Sequence, residues 1–223
     1  MIDYLYDAYV IFWIFVLYSF IGWLIEVMAS LINKRKFVNR GFLIGPIVPI
    51  WGIGGVIITV LLRNCDIFGT IIMSAILGTC LEYIVNFFME RMFKARWWDY
   101  SHLPFNLNGR IWIGSFILFG LLGFLVAHVL SPIFVDIIGG FNKKLVIFVG
   151  IIVCFLVVID CVLSFTIIKN LKLSLDGVCK DNTVEISKMV MNKVSEKSKS
   201  FKRILQAFPN AIFYERFKKN KTE

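Results

Sequence analysis

Five ionisable residues stand inside, or at the mouths of, otherwise apolar stretches of this chain: Glu26, Arg40, Glu82, Arg110 and Asp160. A carboxylate in such a setting can accept a proton or hold a cation, and a guanidinium can grip a carboxylate or phosphate through two parallel N–H groups. An ion exposed to lipid costs a few kcal/mol, so these side chains should turn toward a shared interior or toward one another. Glu90 and His128 also lie within apolar runs, and are read as a snorkelling acid and an interfacial histidine. These residue types define a polar, substrate-binding candidate cluster with no metal ligand set.

A second concentration of polar chemistry is "RWWDYSHLPFNLNGR", residues 96–110. Trp97, Trp98 and Tyr100 suit the headgroup region of a bilayer, being apolar in body and polar at the rim. Asp99 can hold Arg96 or Arg110. Asn106 and Asn108 can bond the backbone groups freed by Pro104 and Gly109. The segment reads as an interfacial turn, and as a lid over the Glu/Arg cluster.

The elements that must position these groups are membrane helices. Of 223 residues, 58% are hydrophobic and 17% charged, against about 45–50% and about 25% in soluble domains. Several runs exceed the ~20 residues that cross a hydrocarbon core, and nothing alternates at the period of a barrel strand. The expected fold class is all-α integral membrane, with five spans at about 8–32, 41–62, 67–93, 111–135 and 145–168. A five-span domain over 1–168 is then followed by a basic tail over 169–223. The N-terminus lacks the basic start of a signal peptide, so the first run should stay as a span.

All but Arg63, Lys143 and Lys144 of the 24 basic residues fall in the first loop, the third connection or the tail. Positive residues stay cytoplasmic, which predicts the N-terminus outside and the C-terminus inside. This topology accounts for the net charge of +9 without nucleic acid as a partner. The tail places Val190, Val194, Phe201, Ile204, Leu205 and Phe208 on one helical face, suited to an anionic inner leaflet. Cys65, Cys80, Cys154, Cys161 and Cys179 form no CxxC pair and are read as buried packing thiols.

Span two, "GFLIGPIVPIWGIGG", carries Pro46 and Pro49 among five glycines. Each proline removes a helix donor and clashes with the preceding turn, so a kink, break or re-entrant segment is expected. Broken helices in transporters free backbone groups for a ligand. "GWLIE" at 22–26 matches "GTCLE" at 78–82, and "NRGFLIG" at 39–45 matches "NGRIWIG" at 108–114. The two span–loop–span units read as a parallel repeat that brings Glu26 near Glu82.

Four segments carry a family resemblance: "YSFIGWLIEV" (18–27), "FVNRGFLIGPIVPIWG" (37–52), "LEYIVNFFMERMFKARWWDYS" (81–101) and "FNLNGRI" (105–111). Over about residues 12–125 the chain resembles the bacterial membrane family called putative ABC-transporter type IV, or CmpB-like. Trp51 stands where that family more typically has Tyr. The resemblance implies a permease-like, multi-pass component of an ATP-driven transporter in the bacterial cell membrane. The chain has no GxxxxGK[ST] loop, so ATP hydrolysis by that route would need a separate cytoplasmic ATPase. Five spans are few for a pathway, so a homodimer is expected. No cofactor is implied. Two other classes stay open. One is a non-catalytic membrane or signalling component with a structural polar cluster. The other is an enzyme acting on lipid headgroups through carboxylates and arginines, although no recognisable catalytic motif is present.

Overall fold

The computed structural model describes residues 8–93, 95–176, 198–208 and 212–213. Four of its helices are apolar and long enough to cross a membrane: α1 (Ala8–Lys34), α3 (Ile67–Phe93), α4 (Ile113–Gly140) and α5 (Lys143–Asp176). The second apolar segment departs from the expected helix over 41–62. Its helix, α2 (Pro49–Leu61), has 13 residues, about 20 Å at 1.5 Å per residue, too short for a core of roughly 30 Å. Residues 41–48 are not helical. Pro49 therefore kinks nothing; it opens α2, where its missing N–H leaves no bond unmade.

Local chemistry sets several boundaries. Arg35 ends α1 in the left-handed region at φ 51°, its N–H reaching the Leu31 carbonyl. Asp66 caps α3 through Gly69 N–H, and Asn142 caps α5 through Lys144 and Leu145. Near the C-terminus Ser198 starts the short helix α6 (Lys199–Ala207). Such caps satisfy amides that have no intrahelical partner.

The helices pair as two antiparallel hairpins, α1 with α2 and α3 with α4. In the first, Gly22 faces Trp51, Ser19 faces Gly52 and Tyr18 faces Gly55. In the second, Gly78 faces Phe119, Ala75 faces Gly120 and Ser74 faces Gly123. Residues on each partner recur at the same spacing, and each contact sets a glycine against a side chain or β-carbon. Close approach at glycine maximises dispersion contact where lipid supplies no hydrophobic drive. In the first hairpin α2 begins beside the middle of α1 and runs toward the start of α1. The unwound 41–48 covers the rest of the way from the end where α1 finishes.

At the other end Tyr18, Thr59 and Ser131 join α1, α2 and α4 through hydroxyl pairs of 2.7 and 2.6 Å. Ser131 follows a π-helical turn in α4, Val126–Leu130, in which His128 Nε2 meets the buried Thr70 hydroxyl at 3.0 Å. His128 is thus a helix-joining residue. The thiols expected to be buried are not: Cys80 and Cys154 are exposed on the apolar exterior, and Cys65 and Cys161 are half-buried. Cys179 lies outside the described residues.

Both loops and the C-terminal segment gather at one end, here called the loop end. Phe93, Ala95, Trp97, Ile168, Leu171 and Ile204 form a buried cluster there, with Phe42, Phe201 and Phe208 packed on it. The face of α6 assigned to a lipid surface on sequence grounds instead packs on protein, Ile204 being buried and Phe201, Leu205 and Phe208 lying against the same cluster. Val190 and Val194 lie outside the described residues. Two short antiparallel pairs complete this end: β1 (Ala95–Arg96) with β4 (Ile212–Phe213), and β2 (Asn106–Leu107) with β3 (Ile111–Trp112).

Candidate functional site

The unwound segment is the first component of the site. Asn39 ties it off: its Oδ1 accepts from Trp23 Nε1 at 2.8 Å and from Gly41 N–H, and its Nδ2 donates to the Ile44 carbonyl at 2.8 Å. Backbone this deep in an apolar bundle cannot be left unpaired. Asp160 of α5 meets that need on one side, accepting from Ile44 N–H at 2.8 Å and Gly45 N–H at 2.7 Å, and from Ser164 at 3.0 Å. Arg203 of α6 donates to the carbonyls of Gly41, Phe42 and Leu43, at 3.2, 3.3 and 2.8 Å. Burial pulls the Arg203 guanidinium below its ordinary pKa, with the charge of Asp160 opposing; an arginine remains charged even so.

The second component is the ion-pair layer. Glu26 faces Arg40 at 3.6 Å. Glu90 receives Arg110 at 2.9 Å and Arg96 at 3.5 Å, and Arg96 also reaches Asp99 at 3.2 Å. The sequence left Asp99 a choice between Arg96 and Arg110, and the fold gives it Arg96. Glu90, read as a snorkelling acid, is the hub of this network. Tyr83 supports Arg110 through its hydroxyl and its ring face.

The loop after α3 is the third component. Trp97 is only 2% exposed and packs edge-on against Phe208, so it is an internal anchor. Trp98 Nε1 donates to the Arg110 carbonyl, and Tyr100 N–H donates to Gly109 at 2.7 Å. Asn106 accepts from Gly109 N–H and donates to Leu103, while Asn108 donates to the Tyr83 hydroxyl. Gly109 sits at φ +66°, where a β-carbon would also strike Asp99 and Ser101. Partial burial works against an ionised Asp99. The Ser101 hydroxyl and amide and Arg96 outweigh it and hold the carboxyl below its ordinary pKa.

Tyr100 carries the loop into the bundle, its hydroxyl donating to Glu82 Oε1 at 3.2 Å. Burial first, then the charges of Glu82 and Glu26, push this phenol well above its ordinary pKa, and the Ser115 hydroxyl opposes them only in part. Tyr100 therefore stays protonated as a donor, and it senses both Glu26 and Glu82. Glu82 is 8% exposed, with the Ser115 hydroxyl also close to it, and its Oε2 is buried without a hydrogen bond of good geometry among the described residues.

The sequence candidates thus divide. Glu26, Glu82 and Tyr100 come together, Arg110 joins Glu90 and Arg96, and Asp160 serves the unwound segment with Pro46 in its turn region. Asn39, Asn86, Glu90 and Arg203 were missed. Asn39 stood in the quoted "NRG" motif and could have been found as a loop-closing side chain. Arg203 gave no local signal.

A family model described as putative ABC-transporter type IV matches residues 13–165. The match extends past the 12–125 read from motifs and takes in Asp160 and most of α5. No curated protein and no solved structure matches the chain.

Proposed function

Because the chain belongs to the putative ABC-transporter type IV family, we propose that it is a permease-like component of an ATP-driven transporter, without catalytic chemistry of its own. Its polar site lies at the loop end, which faces the cytoplasm of a bacterial cell. One observation carries this reading: the second apolar segment enters the bundle unwound, its amides held by Asp160 and its carbonyls by Arg203. Discontinuous segments of this kind line substrate sites in transporters. Counting 41–61 as a crossing gives five, with the N-terminus outside. The two hairpins form a parallel repeat, for which the matched contacts of Gly22 and Gly78 are the support. Two copies would complete a pathway.

The ATPase partner would dock on the tip of the loop rather than on its aromatic motif. Trp97 to Tyr100 are engaged internally, whereas Ser101, His102, Phe105 and Leu107 are exposed. Phe105 is 87% exposed and held at φ 51°, a conformation costly for a bulky residue. Tagged chain recovered from native membranes in mild detergent should bring down a nucleotide-binding ATPase. Phe105→Asn should lose it while inserting normally. No ATPase in either sample, under conditions that hold a known transporter together, would end the transporter reading. The extensive pairing of Glu26, Glu90 and Asp99 would then favour a non-catalytic structural role.

A further inference from the structure

Among the loop-end acids whose side chains are described, every one except Glu82 has its charge answered by the protein. Glu26 has Arg40, Glu90 has Arg110 and Arg96, Asp99 has Arg96, and Asp160 has two backbone amides and a serine. Glu82 has only neutral hydroxyls beside it, Tyr100 on Oε1 and Ser115 close by, and its Oε2 is buried with no hydrogen bond of good geometry among the described residues. One turn further along α3 stands Asn86, 2% exposed. Its Nδ2 donates to the Trp98 carbonyl at 3.3 Å, which fixes the amide's orientation and leaves Oδ1 as the other end. That oxygen too is buried without a partner among the described residues. Side chains four apart on a helix lie on one face, their β-carbons about 6 Å apart. Two unsatisfied acceptors, one of them a carboxylate, therefore share a face between α3 and the loop. A buried carboxyl that stays ionised needs a counter-charge.

We infer that Glu82 and Asn86, closed over by Tyr100, form a binding site for one small monovalent cation, an alkali ion or a primary ammonium group. A single charge fits because Arg40 already answers Glu26, leaving one negative charge in excess around Tyr100. Asn86 contributes a neutral oxygen, and the Tyr100 hydroxyl keeps Glu82 oriented. The inference rests on the transporter reading only in making this cation the cargo or its coupling ion; the site itself is a property of the chain alone.

The test uses the full-length chain in lipid nanodiscs with no ATPase present, so its result is independent of the co-purification. Thermal unfolding is followed by tryptophan fluorescence in sodium, potassium, methylammonium or choline chloride at equal ionic strength. At least one of the three small cations should raise the midpoint over choline by about 5 °C at saturation, because a ligand bound only to the folded state stabilises it. Asn86→Leu should lose at least half of that shift. Glu82→Gln should lose all of it, and in choline should unfold no earlier than wild type. Coincident midpoints in all four salts would overturn the site, leaving Glu82 to hold a proton or a water. A full shift in Glu82→Gln would also overturn it, by moving the cation elsewhere. Should Glu82→Gln fail to fold, an undiminished shift in Asn86→Leu would have the same force.

Discussion

Asp160 and Arg203 hold the same unwound stretch of backbone from its two chemical sides. The carboxylate takes the N–H groups of Ile44 and Gly45, and the guanidinium takes the carbonyls of Gly41, Phe42 and Leu43. The first lies on a long apolar helix, the second on a short amphipathic helix near the C-terminus. The segment's conformation is therefore tied to the docking of the tail.

Arg203→Ala should leave three carbonyls without their donor and loosen α6. Hydrogen bonds to a charged group contribute about 1.5–3 kcal/mol, so hydrogen exchange in 41–48 should speed up by one to two orders of magnitude. Arg203→Lys should lose less, because an ammonium keeps the charge but not the fork. Unchanged exchange in Arg203→Ala would mean the contact does not hold the segment.

Asp160→Asn keeps the shape and one acceptor oxygen but turns an amide donor toward a backbone N–H. It should destabilise by about 2 kcal/mol in thermal unfolding. Combined with Arg203→Ala it should be non-additive, since both act on one segment. Strict additivity would uncouple the two contacts.

Glycines of α2 should separate by position. A β-carbon at Gly52 would meet the Phe15 carbonyl oxygen at 2.6 Å, while at Gly54 its nearest neighbour is Leu81 Cδ2 at 3.6 Å. Gly52→Ala should therefore cost about 1–3 kcal/mol through overpacking. Gly54→Ala should gain about 0.5–1 kcal/mol from reduced backbone entropy. Equal effects in detergent unfolding would contradict the packing of α1 on α2.

The loop should respond to pH at both extremes. The pKa of Asp99 is lowered in the folded chain, so its contribution is complete above the ordinary value, about 4. That contribution disappears as pH falls through the lowered one. The pKa of Tyr100 is raised, so its contribution is complete below about 10 and is lost as pH climbs beyond it. Near-ultraviolet circular dichroism should show the acid loss disappear in Asp99→Asn and the alkaline loss in Tyr100→Phe. Variants that titrate like wild type would show these groups to be uncoupled from the loop.

The amino-acid sequence by itself determined the membrane class and the four long helices, though α4 and α5 run five and eight residues past their expected ends, and it marked the second apolar segment as irregular without choosing between kink and break. These follow from local quantities: apolar length against bilayer thickness, and prolines that cannot continue a helix. It also marked the residues able to do polar chemistry, because ions are rare in apolar runs.

Which ion meets which was decided only by tertiary structure. Arg110 had Asp99 close by in sequence and joined Glu90 on α3 instead. Trp97, suited by type to an interface, became an anchor under Phe208. Arg203 found its carbonyls 160 to 162 residues away in the chain. A hydrogen-bonding partner is chosen by which backbone groups a fold leaves unpaired. That is known only once the helices have packed and the unwound segment lies between them.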